Sequence, residues 1–539
     1  MKKQYDYLIP FAAAFLIMVG LITGSNINEE SSGNPDFDSK EKLNDVYDKI
    51  ISDYVDEVDD KELVQEAVKS MIKELDPHSV YIPAEEVEEA NEPLEGQFEG
   101  IGVQFDIIED TITVVSPISG GPSEELGIQS GDKIIKIEGE NVAGVGYTNQ
   151  DVMNSLRGEK GTEVTVHIQR RGAEDLLEFN ITRDQIPIHS VDASYMIDDR
   201  SGYIRVNRFS SSTTREFLEN LTGLKEEGMV NLVLDLRSNP GGYLNASIQM
   251  ADQFLENNQK IVYTEGRARP KQTFNASRRG NHKEGRLIVL IDEASASASE
   301  IVSGAVQDWD RGLVIGQRSF GKGLVQEPFE LKDGSAIRLT VSRYYTPTGR
   351  SIQRPYDMDD DEYREEWMKR FIDEDEDEEL DSRDDLDMPD SLAYETPGGR
   401  TVYGGGGITP DILIERESLS DFHVDLRRNR LMSSFGFNYF DDNHEELEGN
   451  YEDFETFSEE FDGAQLEEEF ISFVQESEVE FDEEAWEEDR KQIINEYTRP
   501  IARQLFDIGH IRLSNQMDPV FERAVEALYD DTFEEHGVN

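Results

Sequence analysis

Three serines alternate with alanines in "DEASASASEIVSG", residues 292–304: Ser295, Ser297 and Ser299. The preceding run "RLIVLI" reads as a buried strand, and "EIVSGAVQDW" after it has the apolar spacing of a helix. Small residues at a strand-to-helix junction are where a nucleophile is often held. A serine at neutral pH needs a base before it can attack. The chain has eight histidines, none in a known triad spacing. His189 and His282 fall in the core-like region, and "RRGNHKEG" around His282 reads as a charged loop facing water. His78, in "LDPHSVYIP", reads as a turn residue with a local hydrogen-bonding role. A lysine serves as base if burial lowers its pKa. "SFGKGLVQE", residues 319–327, offers Lys322 between two glycines and beside apolar runs. A lysine between glycines is also what a solvent-facing turn looks like, and spacing alone leaves both readings open. "SNPGG", residues 238–242, follows the strand-like "NLVLDLR". Its glycines would let a backbone N–H point into a site, or would simply end a strand.

The bulk chemistry narrows the choice. A chain of 539 residues has room for several domains. It has no cysteine, which removes disulfides, thiolate catalysis, cysteine-based zinc sites and lipid attachment to an N-terminal cysteine. The formal net charge of -64 argues against nucleic acid as partner, because phosphate binding needs clustered cations. Acid spread along most of a chain usually marks a solvated surface, and adaptation to salt is one cause to test. "MKKQ" followed by "YLIPFAAAFLIMVGLITG" reads as a basic flank and an apolar span near the minimum length for a membrane crossing. No small-x-small cleavage site is evident before "SNINEE", so residues 1–27 are expected to be an uncleaved anchor, with a cleaved signal sequence as the alternative. Either way the bulk of the chain would be exported.

The elements that must position these residues follow in order. Residues 28–95 read as a polar linker and amphipathic helices, with Leu43, Val46, Ile50, Leu63, Ala67 and Met71 on helical spacing. Residues 96–185 are β-rich and punctuated by glycines, with a short helix at "NQDVMNSLRG". From 186 to 356 strands alternate with helices, the pattern of an α/β core. Residues 357–397 are a strongly acidic insertion expected to be flexible. Core-like sequence returns at 398–416, and 417–539 reads as an acidic helical appendage.

Several motifs in a fixed order resemble one family. "SASASEIVSGAVQDW…GLVIGQRSFGKGLVQ" resembles the active-site region of the C-terminal processing peptidases, the carboxyl-terminal protease family of serine peptidases. "GIGVQF…SPISGGPSEELGIQSGDKIIKIEGENVAG" resembles their PDZ domain; "LVLDLRSNPGGYL" and "RYYTPTGRSIQ" resemble their core. The resemblance covers roughly residues 40–356 and 398–415. It implies a multidomain α/β protein: a crotonase- or ClpP-like protease core, an inserted-type β-rich PDZ domain, and helical N- and C-terminal segments.

The resemblance also implies roles. Ser297 is the nucleophile, Lys322 the base and Gln326 the residue that orients it. Ala298 would donate one oxyanion-hole N–H at the start of a helix, and Gly241, with Gly242 next, the other. Ser295 and Ser299 would pack or cap. Phe98, Gly100, Ile101, Gly102 and Val103 would bind a peptide's C-terminal carboxylate and receive it as an added strand. The apolar Ile101 and Val103 imply polypeptide substrates with apolar ends. Arg157 matches an arginine suited to coupling the PDZ domain to the core, against the reading of an ordinary surface charge. No metal or organic cofactor is implied. A second copy or an adaptor protein stands as a further partner class. Two rivals stand beside this reading. A PDZ adaptor on an inactive protease fold would not need serine, lysine and glutamine together. An acyl-CoA enzyme of crotonase type would need neither the PDZ domain nor the pair.

Overall fold

The computed structural model describes residues 38–356, 363, 365, 367, 368, 390–416 and 418–538. The expected anchor and most of the acidic insertion lie outside these. Among the described residues no helix is long and apolar enough to cross a membrane.

The chain divides at Glu74/Leu75 into two compact units. The first holds the helices Ser39–Asp53 and Asp60–Lys73. Each starts on an aspartate whose carboxylate accepts first-turn N–H groups: Asp38 from Lys40, Asp59 from Lys61 and Glu62.

The second unit is built on a six-stranded sheet in the order Val191–Met196, Ser201–Val206, Asn231–Asp235, Leu287–Ile291, Leu313–Gly316, Ile412–Leu413. The first pair is antiparallel and the rest are parallel. Continuous apolar runs such as "LIVLI" form central parallel strands because both faces must be covered. Alternate residues go to opposite faces. Leu287, Val289 and Ile291 pack with Phe217, Met250 and Val302 from the helices Thr213–Glu227, Leu244–Ala251 and Ala298–Asp308. Ile288 and Leu290 pack with Val520, Phe521 and Ala524 of the helix Pro519–Ala527. The C-terminal region is therefore not a mere appendage, since its last helices form the second layer over this sheet. Each such leucine or isoleucine contributes about 1.5–3 kcal/mol on burial.

A second sheet joins Val80–Ile82, Ala336–Tyr345, Lys260–Gly266 and Arg269–Asn275, with Leu324–Glu330 also on Ala336–Tyr345. The β-rich segment forms its own sheet, ordered Val103–Ile108, Thr111–Pro117, Lys133–Ile137, Glu163–Gln169, Leu177–Thr182, with the helix Asn149–Leu156. Its entry strand Gln97–Gly100 and exit strand Asp184–Pro187 pair with each other, so one ladder closes the domain at its root.

Candidate active site

The strand Leu287–Ile291 ends in a loop that delivers Ser297 to the start of the helix Ala298–Asp308. Ser297 has φ 53°, a strained conformation for a non-glycine residue. Two contacts around it hold that geometry. Its N–H donates to Glu300 Oε2 at 2.8 Å, and its carbonyl accepts from the Tyr344 hydroxyl at 3.0 Å. The flanking serines anchor the loop. Ser295 Oγ donates to the Leu236 carbonyl at 2.8 Å and Ser299 Oγ to the Asn239 carbonyl at 3.0 Å, both side chains fully buried.

Lys322 precedes the strand Leu324–Glu330. Its Nζ donates to Gln326 Oε1 at 2.9 Å. A register shift between Val325 and Gln326 bends this strand at the site. The Gln326 amide nitrogen donates to the His78 carbonyl. Burial, and next the positive charge of Arg338, lower the Lys322 pKa from its ordinary value. Ser297 and Lys322 line one cavity of about 1230 Å³ with Gly241, Gly242 and Gln326. No hydrogen bond joins Ser297 Oγ to Lys322 Nζ among the described residues; such bonds commonly tighten only around substrate.

Glu300, which the sequence reading did not single out, ties the two halves together. Its carboxylate accepts from the N–H groups of Ser297, Gly321 and Lys322 at 2.7–2.9 Å, and from Ser319 Oγ at 2.6 Å. Burial raises its pKa against these four donors. Ser-x-x-Glu at a helix start was the available signal, because it is the capping-box pattern.

The "SNPGG" loop meets the serine loop through Asn239, whose carbonyl accepts from the Ala296 N–H at 3.0 Å. A Cβ on Gly241 would stand 2.8 Å from Ser297 Cβ and 2.9 Å from the Ala298 nitrogen. One expectation changes here. The Gly241 N–H already donates to Asn239 Oδ1 at 2.9 Å, so it is not aimed at an oxyanion. The N–H groups of Ala298 and Gly242 have no acceptor among the described residues.

One histidine is placed differently from expectation. His282 does not face water: it is 1% exposed, against Phe254, and burial followed by the charges of Arg311 and Lys225 lowers its pKa to about 3. The loop's charge misled, because Arg311 reaches across it to the His282 carbonyl at 2.9 Å. The turn at His78 is organised by Asp76, which accepts from the His78 and Ser79 N–H groups at 2.9 and 2.7 Å. The His78 carbonyl reaches the site through Gln326, and its ring, with its pKa lowered to about 4 by burial and next by the charge of Lys322, lies against Phe320 and Tyr363.

In the β-rich domain Gly102 has φ 73°, and the loop Gly100–Gly102 leads into Val103–Ile108, an edge strand. The carbonyls of Ile101 and Gly102 accept from Ser123 and Ile118, while their N–H groups have no acceptor among the described residues. Ile101 is buried and Val103 packs on the same domain's core. Phe98 lies on the root strand instead, with the Arg157 guanidinium 4.9 Å from its ring centre. Arg157 also pairs with Glu92 at 2.6 Å. Glu92 belongs to the helix Val87–Glu95, whose residues Asn91 and Leu94 line the cavity.

An α/β core with a serine at a strained helix start, beside a small β domain with an open strand edge, is the layout of a PDZ-containing serine-type peptidase. Family models agree: peptidase family S41 matches residues 200–362, a PDZ domain 100–181, the N-terminal domain of the activating protease CtpB 21–86, and a family of unknown function 422–507. The chain belongs to the carboxy-terminal processing proteases of peptidase family S41. It is 36% identical to the carboxy-terminal-processing protease of Bartonella bacilliformis over 64% of this chain and 77% of that one. It is 34% identical to the carboxy-terminal processing protease CtpA of Bacillus subtilis over 66% and 76%. Among solved structures, a photosystem II D1 C-terminal processing protease is 28% identical, covering 59% of this chain and 84% of that one with a TM-score of 0.36.

Proposed function

We propose that this peptidase works through a Ser297–Lys322 dyad and reads the C-terminal carboxylate of its substrate with its PDZ domain. The observation that carries the dyad is a lysine with a lowered pKa, held by Gln326, in the cavity that also contains Ser297. Ser297 Oγ attacks the scissile carbonyl carbon while Lys322 Nζ takes the hydroxyl proton. The oxyanion is met by the N–H groups of Ala298 and Gly242. Collapse breaks the C–N bond, and the Lys322 ammonium returns the proton to the leaving amine. Water then attacks the acyl ester, with Lys322 as base again, and Ser297 is regenerated.

The free N–H groups of Ile101 and Gly102 support carboxylate capture, and the open edge of Val103–Ile108 supports strand addition of the tail. The basic flank and apolar run of the first residues support an export reading: an inner-membrane anchor with the protease facing the periplasm or cell exterior. A reporter active only outside the cytoplasm, fused after residue 40, tests that placement, and an inactive fusion overturns it.

Ser297→Ala and Lys322→Ala should each abolish cleavage, and their losses should not add. A fluorophosphonate should label the parent and not Ser297→Ala. Parental rates in Lys322→Ala would exclude this base.

A further inference from the structure

A cavity of about 290 Å³ opens between the edge strand Val103–Ile108 and the helical C-terminal region. Four guanidiniums line it, Arg427, Arg430, Arg499 and Arg503, against two carboxylates, Asp106 and Glu496. Those two are taken: Arg430 pairs with Asp106, and Arg427 with Glu496. Arg499 donates to Asn495 Oδ1 at 2.7 Å and Arg503 to Gln104 Oε1 at 2.5 Å. Neither has a carboxylate at ion-pair distance among the described residues. His510, on the same wall, has its pKa lowered to about 4 by burial and then by Arg503, Arg205 and Arg499. The lining thus carries two more guanidiniums than carboxylates in a chain of net charge -64, whose general field repels acidic polypeptides; Asp518, near Arg499, is paired with Arg237, and Asp507 stands near Arg503 without lining the cavity.

The strand register says what reaches it. Val103, Phe105 and Ile107 pack toward the PDZ core, whereas Gln104 and Asp106 face the C-terminal region through Arg503 and Arg430. A tail added antiparallel, with its carboxylate on the Ile101 and Gly102 N–H groups, places its terminal residue opposite Val103. Opposed residues share a face of the sheet. The residue three before the terminal one then falls opposite Asp106, with its side chain toward the cavity.

We propose that this cavity is a specificity subsite for an acidic side chain, Asp or Glu, three residues before the substrate's C-terminal residue, with Arg499 and Arg503 as its cations. The subsite rests on the tail reading proposed above and adds a charge preference upstream of the apolar end.

The test uses the full chain in detergent carrying Ser297→Ala, so that peptides bind without being cut. N-terminally labelled decapeptides with an apolar free C-terminus carry one Glu walked through the five positions before the end, at constant ionic strength. Fluorescence anisotropy should show about fivefold tighter binding for Glu three before the terminal residue, the upper range for a partly exposed ion pair. Glu two or four before it should give no gain. Arg499→Gln with Arg503→Gln should erase the gain and leave the all-neutral peptide's affinity unchanged, which also reports that the variant is folded. An equal gain at every position, no gain at any, or a gain surviving the double substitution overturns the subsite. Equal binding of free and amidated tails overturns the tail reading itself, and the subsite with it.

Discussion

Lys322 Nζ donates to Gln326 Oε1 at 2.9 Å, and the amide nitrogen of the same Gln326 donates to the His78 carbonyl. The amide cannot flip without putting a donor against the lysine, so the His78 turn fixes which end of Gln326 faces the base. In the proposed mechanism, proton acceptance by Lys322 is thereby tied to a turn far away in sequence.

Replacing Gln326 tests that tie. Gln326→Ala should lower kcat by about 10–100-fold, less than the roughly 10²–10⁴-fold that general acid–base catalysis contributes because the lysine itself remains, with KM nearly unchanged. Gln326→Glu should act differently: a carboxylate beside Lys322 favours its charged form and should raise its pKa. The rise of kcat with pH should then move to higher pH. Identical pH profiles for the parent and Gln326→Glu would remove Gln326 from the mechanism.

The base must be neutral to accept a proton, so single-turnover acylation should increase with pH through the Lys322 pKa, which lies below the ordinary 10.5 because of burial and Arg338. Arg338→Leu removes a neighbouring positive charge. That relaxes the lowering, so the rising limb should move toward alkaline pH and the rate at neutral pH should fall. A limb near the ordinary histidine value of about 6.5, unmoved by Arg338→Leu, would point to another base.

How far the site was legible in the sequence depended on what each residue touches. Ser297 and Lys322 stand in small-residue and glycine motifs, which keep a recognisable local form. Glu300 was visible only as part of the serine motif, because its partners Ser319, Gly321 and Lys322 come from a loop some twenty residues on. Asn239 was passed over for the glycines after it, yet its side chain takes the Gly241 N–H. His282 was misjudged because local charge says nothing about which loops Phe254 and Arg311 cover. The α/β alternation was plain in the strand runs. The role of Pro519–Ala527 was not, since an amphipathic helix does not announce which sheet it will cover.

The helix Ala298–Asp308 ends on a buried ion pair. Arg350 and Asp308 lie 2.8 Å apart with both side chains fully buried, and Arg350 also donates to Gln307 Oε1 and the Tyr403 carbonyl, each at 2.7 Å. Removing one partner leaves the other charge buried, a loss of about 3–5 kcal/mol. Arg350→Leu should therefore shift the denaturant midpoint strongly, while the conservative Arg350→Lys should recover part of the loss. A midpoint unchanged in Arg350→Leu would mean that water reaches Asp308.

The last prediction concerns the link between PDZ domain and cleft. Arg157 ends the helix Asn149–Leu156 and pairs with Glu92 at 2.6 Å, on the helix whose Asn91 and Leu94 border the cavity. A tail bound beside the loop Gly100–Gly102 is adjacent to this pair, because a Cβ on Gly100 would stand 3.7 Å from Arg157 Cα and 3.2 Å from the Phe98 ring. Tail binding can change turnover only by its differential affinity for two arrangements of the cleft. If the pair transmits that preference, a substrate with a free apolar C-terminus should show higher kcat, not only lower KM, than its amidated form. Arg157→Ala and Glu92→Gln should each shrink this ratio toward one, and the double variant should do no more than either single, since both remove one interaction. Cleavage of a short peptide that lacks a PDZ-binding tail should keep the same pH profile in all three. If both single variants retain the parental ratio, Arg157 is a surface charge and the coupling runs elsewhere.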